Sequence, residues 1–169
     1  MKYPLSPAAL PVDGTLGKGP LALLTALAQL SRRYGPHVFT PARVGILAHY
    51  SPGSSTFREY MRQLTAAGLV LRSARGFQLL PDGDAKAGDV PPLPTGAALV
   101  DYWEKQVGKG QGAILRAVAD SSGAVAADTV AERAGFSVTS STWREYTRQL
   151  RALQLIAGKH ILTPGEALR

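Results

Sequence analysis

The sequence contains no cysteine, and it has only two tryptophans and two methionines among its 169 residues. The lack of cysteine excludes disulfides, thiolate metal sites and cysteine nucleophiles. No apolar run approaches the ~18 residues that a membrane span needs, and residues 1–10 lack the apolar core of a signal peptide. We therefore expect a cytoplasmic protein with no membrane partner.

Motifs for catalysis and metal binding are also missing. Residues 14–19 read GTLGKG and superficially suggest a phosphate-binding loop, but Val12 stands where that motif requires glycine and Gly19 where it requires serine or threonine. The three histidines, His37, His49 and His160, are scattered without the spacing of metal ligands. We expect no enzymatic activity, no metal, no cofactor and no small-molecule ligand.

Positive charge is concentrated in two segments of the chain, whose net charge is +7. Residues 17–83 carry eight Lys/Arg against two acidic residues, and residues 108–169 carry eight against five. The intervening residues 84–107 carry two against four. Basic segments of this kind are typical of proteins that neutralise phosphates, although a basic net charge is common among other soluble proteins.

An internal repeat is the strongest feature of the sequence. Residues 50–70 read YSPGSSTFREYMRQLTAAGLV and residues 136–156 read FSVTSSTWREYTRQLRALQLI, with twelve of the 21 aligned positions identical. The similarity continues upstream, where Gly-Lys-Gly at 17–19 aligns with Gly-Lys-Gly at 108–110. We interpret the chain as two copies of one small fold.

The first copy predicts three helices and a β-hairpin. A helix is expected over 20–33, a second from the Thr40 cap to about His49, and a third from Ser54 or Ser55 to Ala67, with Gly68 ending it. Two strands are expected over 69–71 and 77–80. Phe57, Tyr60 or Met61, and Leu64 form the predicted buried stripe of the third helix.

The second copy predicts the same order of elements. Helices are expected over about 110–120, from an Asp128 cap to Ala134, and from Ser140 or Ser141 to about Leu153, and a hairpin over 155–156 and 160–162. An additional amphipathic helix over 97–107 precedes this copy, with Leu99, Val100, Trp103 and Val107 on its apolar face.

The turn and third helix, at residues 50–58 and 136–144, resemble those of the tandem winged helix-turn-helix modules of bacterial and phage DNA-binding proteins. His49 stands before this motif in the first copy where Gly135 stands in the second. The resemblance implies an α+β fold, mainly α with small β-hairpin wings. The predicted organisation is an extended arm (1–16), domain 1 (17–83), a Pro/Gly-rich linker (84–95) and domain 2 with its extra helix (96–169).

A linker of this composition, if extended, spans at most about 37 Å over a dozen residues. DNA half-sites one helical turn apart lie about 34–36 Å from each other. The two copies on one chain are therefore compatible with a covalent pseudo-dimer on double-stranded DNA, while rigid packing through the Trp103 helix is the alternative.

The candidate nucleic-acid-binding residues are the polar positions of the turn, third helix and wing. In a helix-turn-helix this helix enters the major groove, where arginine pairs with guanine and glutamine with adenine. Serine and threonine at a helix N-terminus suit phosphate. The candidates are Ser54, Ser55, Thr56, Arg58, Arg62, Gln63, Arg72 and Arg75 in the first copy, and Ser140, Ser141, Thr142, Arg144, Arg148, Gln149, Arg151 and Lys159 in the second.

Plainer interpretations compete with several of these assignments. Ser54 and Ser140 suit helix caps, and Glu59 and Glu145 are spaced to form surface ion pairs with the arginines three residues later. The function class also has alternatives to direct DNA binding. These are a non-catalytic protein-interaction adaptor, with a protein partner or a homodimer, and the DNA-targeting subunit of a larger ATPase-containing assembly.

Overall fold

A computed structural model describes residues 16–169. The predicted N-terminal arm, apart from Leu16, lies outside the described residues. The chain divides into two compact units, Met1–Leu93 (unit 1) and Pro94–Arg169 (unit 2). The fold is mixed α and β, as expected: the described residues form eight α-helices and two small antiparallel sheets of two and three strands.

Unit 1 contains four helices and one hairpin. Their bounds are α1 (Lys18–Tyr34), α2 (Pro41–Ala48), α3 (Ser55–Ala66), β1 (Val70–Ser73), β2 (Gly76–Leu79) and α4 (Pro81–Ala87). The core is formed by the apolar stripes of the helices and the inner face of the hairpin. It includes Leu23, Leu24, Leu27, Phe39, Val44, Phe57, Met61, Leu64, Phe77 and Leu79.

Local sequence signals explain where α2 and α3 begin and end. The hydroxyl of Thr40 accepts a hydrogen bond from the Arg43 N–H at 3.3 Å, and that of Ser54 accepts one from the Phe57 N–H at 3.1 Å. Both are N-caps that satisfy otherwise unpaired helix donors. Gly68 follows α3 with φ of +74°, a conformation that ends helices and favours glycine. The predicted caps at Thr40 and Ser54 and the predicted stop at Gly68 are confirmed.

The hairpin of unit 1 has a short connection at residues 74–75. β1 and β2 pair in antiparallel register from Val70 opposite Leu79 to Ser73 opposite Gly76. Phe39, just before α2, forms an isolated antiparallel bridge with Phe77. The segment between α1 and α2 therefore lies beside β2 as a short third member of this sheet.

The structure corrects the first part of the predicted linker over 84–95: residues 84–87 lie in a helix, whereas residues 88–95 form neither helix nor strand. The first residues of this segment belong to α4, which packs against α1, and Val90 and Leu93 are buried. Arg32 of α1 explains this arrangement, since its guanidinium donates to Asp84 (3.0 Å), to the Gly88 carbonyl (2.7 Å) and to the Val90 carbonyl. Proline and glycine content suggested an extended segment, but buried apolar side chains and the Arg32 hydrogen bonds attach it to unit 1.

Unit 2 contains four helices and three short strands. Their bounds are α5 (Ala97–Val107), α6 (Lys109–Ala119), β3 (Val125–Ala126), α7 (Ala127–Ala134), α8 (Ser141–Ala152), β4 (Ile156–Ala157) and β5 (Ile161–Pro164), followed by a 3₁₀ turn at Glu166–Leu168. The core includes Leu99, Trp103, Ile114, Leu115, Val118, Val130, Trp143, Leu150, Leu155 and Leu162. The predicted helix over 97–107 is confirmed, and Leu99 and Trp103 are its fully buried residues.

One local prediction for unit 2 requires correction. Asp128 does not cap α7, because the helix begins at Ala127 and Ala126 occupies the cap position without a side-chain bond. The reason is β3, a strand of two residues that the sequence analysis did not predict and that leads directly into α7. β3 pairs with β5, which also pairs with β4, so the sheet order is β3-β5-β4.

The same helix–helix contact occurs inside each unit, between α1 and α3 in unit 1 and between α6 and α8 in unit 2. Gly19 in α1 lies against the ring of Tyr60, and Gly110 in α6 lies against the ring of Tyr146, so that an added Cβ would overlap the ring in each case. Both tyrosines are half-buried, and of the two alternatives for the buried stripe of α3, Met61 lies in the core and Tyr60 at its edge. No helix in the described part of the chain is long and apolar enough to cross a membrane.

Candidate nucleic-acid interface

The third helix of each unit separates apolar from polar side chains. In α3, Phe57, Met61 and Leu64 are buried, and in α8 the corresponding Trp143, Thr147 and Leu150 are buried. The opposite side of each helix carries the same four residue types. We call this side the polar face: it comprises Arg58, Glu59, Arg62 and Gln63 in unit 1 and Arg144, Glu145, Arg148 and Gln149 in unit 2.

The serines at the start of the third helix serve first as caps. Ser54 and Ser140 each accept from the backbone N–H three residues later, at 3.1 Å in both units, and each donates its hydroxyl to the carbonyl of Ser51 or Ser137. Both acceptor and donor roles are thus used within the turn. The next two residues in each unit, Ser55 with Thr56 and Ser141 with Thr142, are exposed beside the helix N-terminus.

An aromatic pair fixes the same turn in both units. The rings of Tyr50 and Tyr60 meet edge to face with centroids 5.6 Å apart, and those of Phe136 and Tyr146 do so at 5.7 Å. Such pairs contribute about 0.5–1.5 kcal/mol beyond the area they bury. The turn and the third helix are therefore held to each other in one geometry in both units.

A cluster of glutamate, arginine and glutamine occupies the middle of each polar face. In unit 1 Glu59 accepts from Nε and Nη2 of Arg62, at 2.9 and 2.7 Å, and from the Gln63 amide at 3.4 Å. We call this group and its unit 2 counterpart, Glu145 with Arg148 and Gln149, the Glu–Arg–Gln clusters. In unit 2 the arginine bonds are 2.9 and 2.6 Å and the glutamine bond is 2.6 Å.

These hydrogen bonds lower the pKa of both carboxyl groups. Arg62, and then Gln63, lower the pKa of Glu59 below its ordinary value of 4.5. Arg148 and Gln149 lower the pKa of Glu145 to about 2. In turn Glu59 raises the pKa of Arg62 and Glu145 that of Arg148. Since all four side chains are solvent-exposed, each ion pair contributes little to stability; both clusters are fully ionised at neutral pH.

The first arginine of the polar face differs between the units. Arg58 is exposed, and within residues 16–169 its guanidinium makes no hydrogen bond or ion pair. Arg144 is also exposed but folds back along its helix, where it donates to the carbonyl oxygens of Thr139 at 3.1 Å and Ser140 at 3.4 Å. Arg58 therefore has its full donor capacity available to a partner, whereas Arg144 has to leave its own backbone first.

The glutamines differ in the same sense. Gln149 in α8 accepts a hydrogen bond from the side-chain amide of Gln111 in α6. The residue of unit 1 aligned with Gln111 is Pro20, which has no side-chain donor. The amide oxygen of Gln63 consequently has no such partner in unit 1.

The hairpins add further positive charge beside the third helix. Arg72 and Arg75 are exposed on and next to the hairpin of unit 1, and Lys159 is exposed between β4 and β5 of unit 2. Arg151 is half-buried and donates to the Gly158 carbonyl at 3.1 Å. Its role is to connect α8 to the hairpin loop, so it is less available to a ligand than the sequence suggested.

Sequence reasoning missed the residues that hold the candidates in place. Glu59 and Glu145 were assigned only to simple ion pairs, and Gln111 was not singled out. The spacing of Glu with the residues three and four positions later indicates such a cluster on one helical face. The contact between Gln111 and Gln149 joins two helices far apart in sequence, and no local pattern signals it. Within residues 16–169 there is no group of three or more His, Asp or Glu side chains that would hold a metal ion.

Comparison of the chain with family models, with curated protein sequences and with solved structures gives no match.

Proposed function

We propose that this chain is a double-stranded DNA-binding protein with two tandem winged helix-turn-helix domains. In each domain the third helix, α3 or α8, enters the major groove and the hairpin acts as the wing. The observation that carries the proposal is the polar face of the third helix, which presents two arginines and a glutamine in both units while the aromatic residues face inward. The proposed setting is the cytoplasm, with the protein associated with the nucleoid.

The order of elements supports this assignment. Each unit runs helix, short β segment, helix, tight turn, helix and hairpin, and the β segment before the second helix pairs with the last strand of the hairpin. In a helix-turn-helix, the helix that follows the turn lies in the major groove. The same order and the same turn in both units favour one docking mode used twice.

The charge of the described elements also supports it. Unit 1 from residue 16 carries nine Lys/Arg against four acidic residues, and unit 2 carries nine against seven. In unit 1 three of the four acidic residues lie within or after α4, and Glu59 is the only acidic residue of α3 and the hairpin. Phosphate contacts from arginine and lysine supply most of the affinity of such proteins, so the positive charge is placed beside the proposed groove-binding helix.

One observation favours the adaptor function for unit 2. The donor and acceptor groups of its polar face are largely satisfied within the unit, by Thr139, Ser140 and Gln111. A face of this kind suits a protein partner as well as DNA. The alternative is therefore that unit 1 binds DNA and unit 2 docks a protein of a larger assembly.

The experiment is fluorescence anisotropy of a labelled duplex of about 30 base pairs, three helical turns, titrated with the full chain over a salt series. Affinity should fall steeply with salt, with a slope of about −0.9 per neutralised phosphate. The variant Arg58→Ala/Arg62→Ala/Arg144→Ala/Arg148→Ala should lose binding. Its control is Lys86→Ala/Lys105→Ala, which removes exposed positive charge from α4 and α5 and should retain binding.

Absence of duplex binding by the wild type at low salt would refute the proposal. The arginine variant removes four positive charges and the lysine variant removes two. An equal loss of affinity per charge removed would show that net charge alone attracts the DNA, and it would also contradict the proposal. If binding is lost when only the unit 1 arginines are replaced and kept when only the unit 2 arginines are replaced, the alternative is favoured in which unit 1 binds DNA and unit 2 binds a protein.

A further inference from the structure

Each Glu–Arg–Gln cluster contains an acidic side chain on a face proposed to meet a polyanion. A carboxylate there repels phosphates and weakens binding that depends on charge alone. Yet both units have the same three residues at the same spacing, while the buried positions between them differ: Met61 in α3 corresponds to Thr147 in α8. A face that served only to attract phosphates would not need the carboxylate.

The geometry of the clusters indicates what the carboxylate does. Glu59 binds Nε and one N–H of Nη2 of Arg62, which are one edge of the guanidinium. The other end, with both hydrogens of Nη1 and the second hydrogen of Nη2, stays available as a two-pronged donor. That end matches the O6 and N7 acceptors of guanine in the major groove.

The glutamine of the unit 1 cluster is oriented in the same way. The Gln63 amide donates one hydrogen to Glu59, which leaves its second hydrogen and its oxygen for a partner. One donor and one acceptor side by side are what adenine requires in the major groove. In unit 2 the Gln149 oxygen already accepts from Gln111, so there the arginine is the residue left free to read a base.

We propose that Glu59 and Glu145 are positioning residues for sequence recognition: each carboxylate holds the neighbouring arginine and glutamine in the one arrangement that presents their unused donors to base edges. Unit 1 then reads two adjacent base positions through Arg62 and Gln63, and unit 2 reads one through Arg148. Fixing these flexible side chains before binding reduces the ordering cost at the interface. This inference depends on the proposed DNA-binding function.

The test separates positioning from charge. The full chain is first used to select preferred sequences from a pool of duplexes with randomised cores, and affinities are then measured for the preferred duplex and a scrambled duplex. The variants are Glu59→Gln/Glu145→Gln, which removes the charges, and Glu59→Asp/Glu145→Asp, which keeps them but shortens the reach. Glu132→Gln, an exposed acid on α7, is the matched control for charge removal.

Positioning predicts that both cluster variants reduce the preferred-to-scrambled affinity ratio by about tenfold or more, the scale of one base contact. Affinity for the scrambled duplex should not fall, since no phosphate contact is lost. When the two changes are also made singly, Glu59→Gln should broaden two positions of the selected sequence and Glu145→Gln one. The control should change both affinities equally and leave the ratio unchanged.

Three results would overturn the inference. The first is an unchanged ratio in the Gln variant, and the second is wild-type behaviour in the Asp variant, which would leave charge as the only role. The third is a wild type that binds duplexes without sequence preference. In all three cases duplex binding itself persists, so the proposed function survives; no duplex binding by the wild type refutes both.

Discussion

Unit 1 and unit 2 have nearly the same turn and third helix, but they differ in how much of the polar face is bound internally. Within the described residues the Arg58 guanidinium has no partner and the Gln63 amide has only Glu59. In unit 2 the Arg144 guanidinium donates to Thr139 and Ser140, and the Gln149 amide is bonded to Gln111 as well as to Glu145. The difference shows that duplication kept the scaffold while the neighbouring residues changed. A repeated motif therefore does not imply two equally available binding surfaces.

The units also complete their cores from opposite ends of the repeat. In unit 1 the additional helix, α4, follows the hairpin and packs on α1; in unit 2 the additional helix, α5, precedes α6 and packs on it. An arginine of the first helix secures each one, Arg32 with Asp84 and Arg116 with Asp101 and Glu104. The first helix of the repeat, α1 in unit 1 and α6 in unit 2, is thus covered by an additional helix, which comes after the repeat in unit 1 and before it in unit 2.

The largest expected effect concerns DNA affinity. Arg58→Ala/Arg62→Ala should reduce affinity by about 2–4 kcal/mol, since each arginine contact contributes about 1–3 kcal/mol. Arg144→Ala/Arg148→Ala should cost about half as much, because Arg144 must first break its bonds to the helix backbone. Anisotropy titrations at one salt concentration give the two values, and equal or reversed losses would contradict the ranking.

The next effect concerns the contact between the first and third helices. Gly19→Ala and Gly110→Ala should destabilise their units by about 1–3 kcal/mol, the usual cost of overpacking. The loss should be greater at Gly19, where the added Cβ overlaps more of the tyrosine ring. Both tryptophans lie in unit 2, so their fluorescence follows unit 2 during chemical denaturation, and far-UV circular dichroism follows both units.

Removal of the ring provides the control for this prediction. The double variant Gly19→Ala/Tyr60→Ala should lose less free energy of unfolding than the sum of the losses in the two single variants, because the added Cβ no longer meets a ring. Strict additivity of the two changes would mean that the ring and the glycine do not interact.

A smaller effect should appear at two left-handed positions that the units fill in opposite ways. His49 has φ of +61° where unit 2 has Gly135, and Gln154 has φ of +60° where unit 1 has Gly68. This conformation costs a residue with a Cβ about 1–2 kcal/mol, and glycine's greater freedom in the unfolded chain offsets part of it. His49→Gly should stabilise by about 0.5–1 kcal/mol. Gln154→Gly should stabilise by less, because it also removes the hydrogen bond that the Gln154 amide donates to Glu166.

The reciprocal changes sharpen this comparison. Gly68→Ala and Gly135→Ala place a Cβ at a left-handed position and should destabilise their units. Thermal unfolding of the four variants gives the signs, and a loss of stability in His49→Gly would show that its side chain makes a compensating interaction.

The smallest effect concerns the ionisation of the clusters. Arg148→Ala should raise the pKa of Glu145 from about 2 toward its ordinary 4.5, because it removes the largest cause of the shift. A lowered pKa in the folded state means that this pair stabilises the protein above the ordinary pKa and loses its effect as pH falls toward 2. Carboxyl chemical shifts in an NMR titration of the wild type and the variant measure it; an unchanged Glu145 pKa would contradict the assigned cause.

Most of the local structure was predictable from the sequence. The Thr40 and Ser54 caps, the Gly68 stop and the amphipathic helix over 97–107 depend on interactions between residues close in sequence, which leave recognisable patterns. The polar face was predictable for the same reason, since its members repeat at helical spacing. The Asp128 cap was wrong because the pairing of β3 with β5 leads directly into α7. Residues 84–87 of the predicted linker instead belong to α4, and the long-range contacts of Arg32 hold the segment to unit 1.

The sequence by itself determined the duplication, the order of helices and hairpin and the residue types on each polar face, because all of these follow from nearby residues and their periodicity. Only the tertiary structure decided which of those polar groups are available. Whether a guanidinium or an amide is free depends on what the fold brings beside it, such as Gln111 against Gln149 or the Thr139 carbonyl against Arg144. Two helices with the same polar residues can therefore differ in the donors and acceptors they offer.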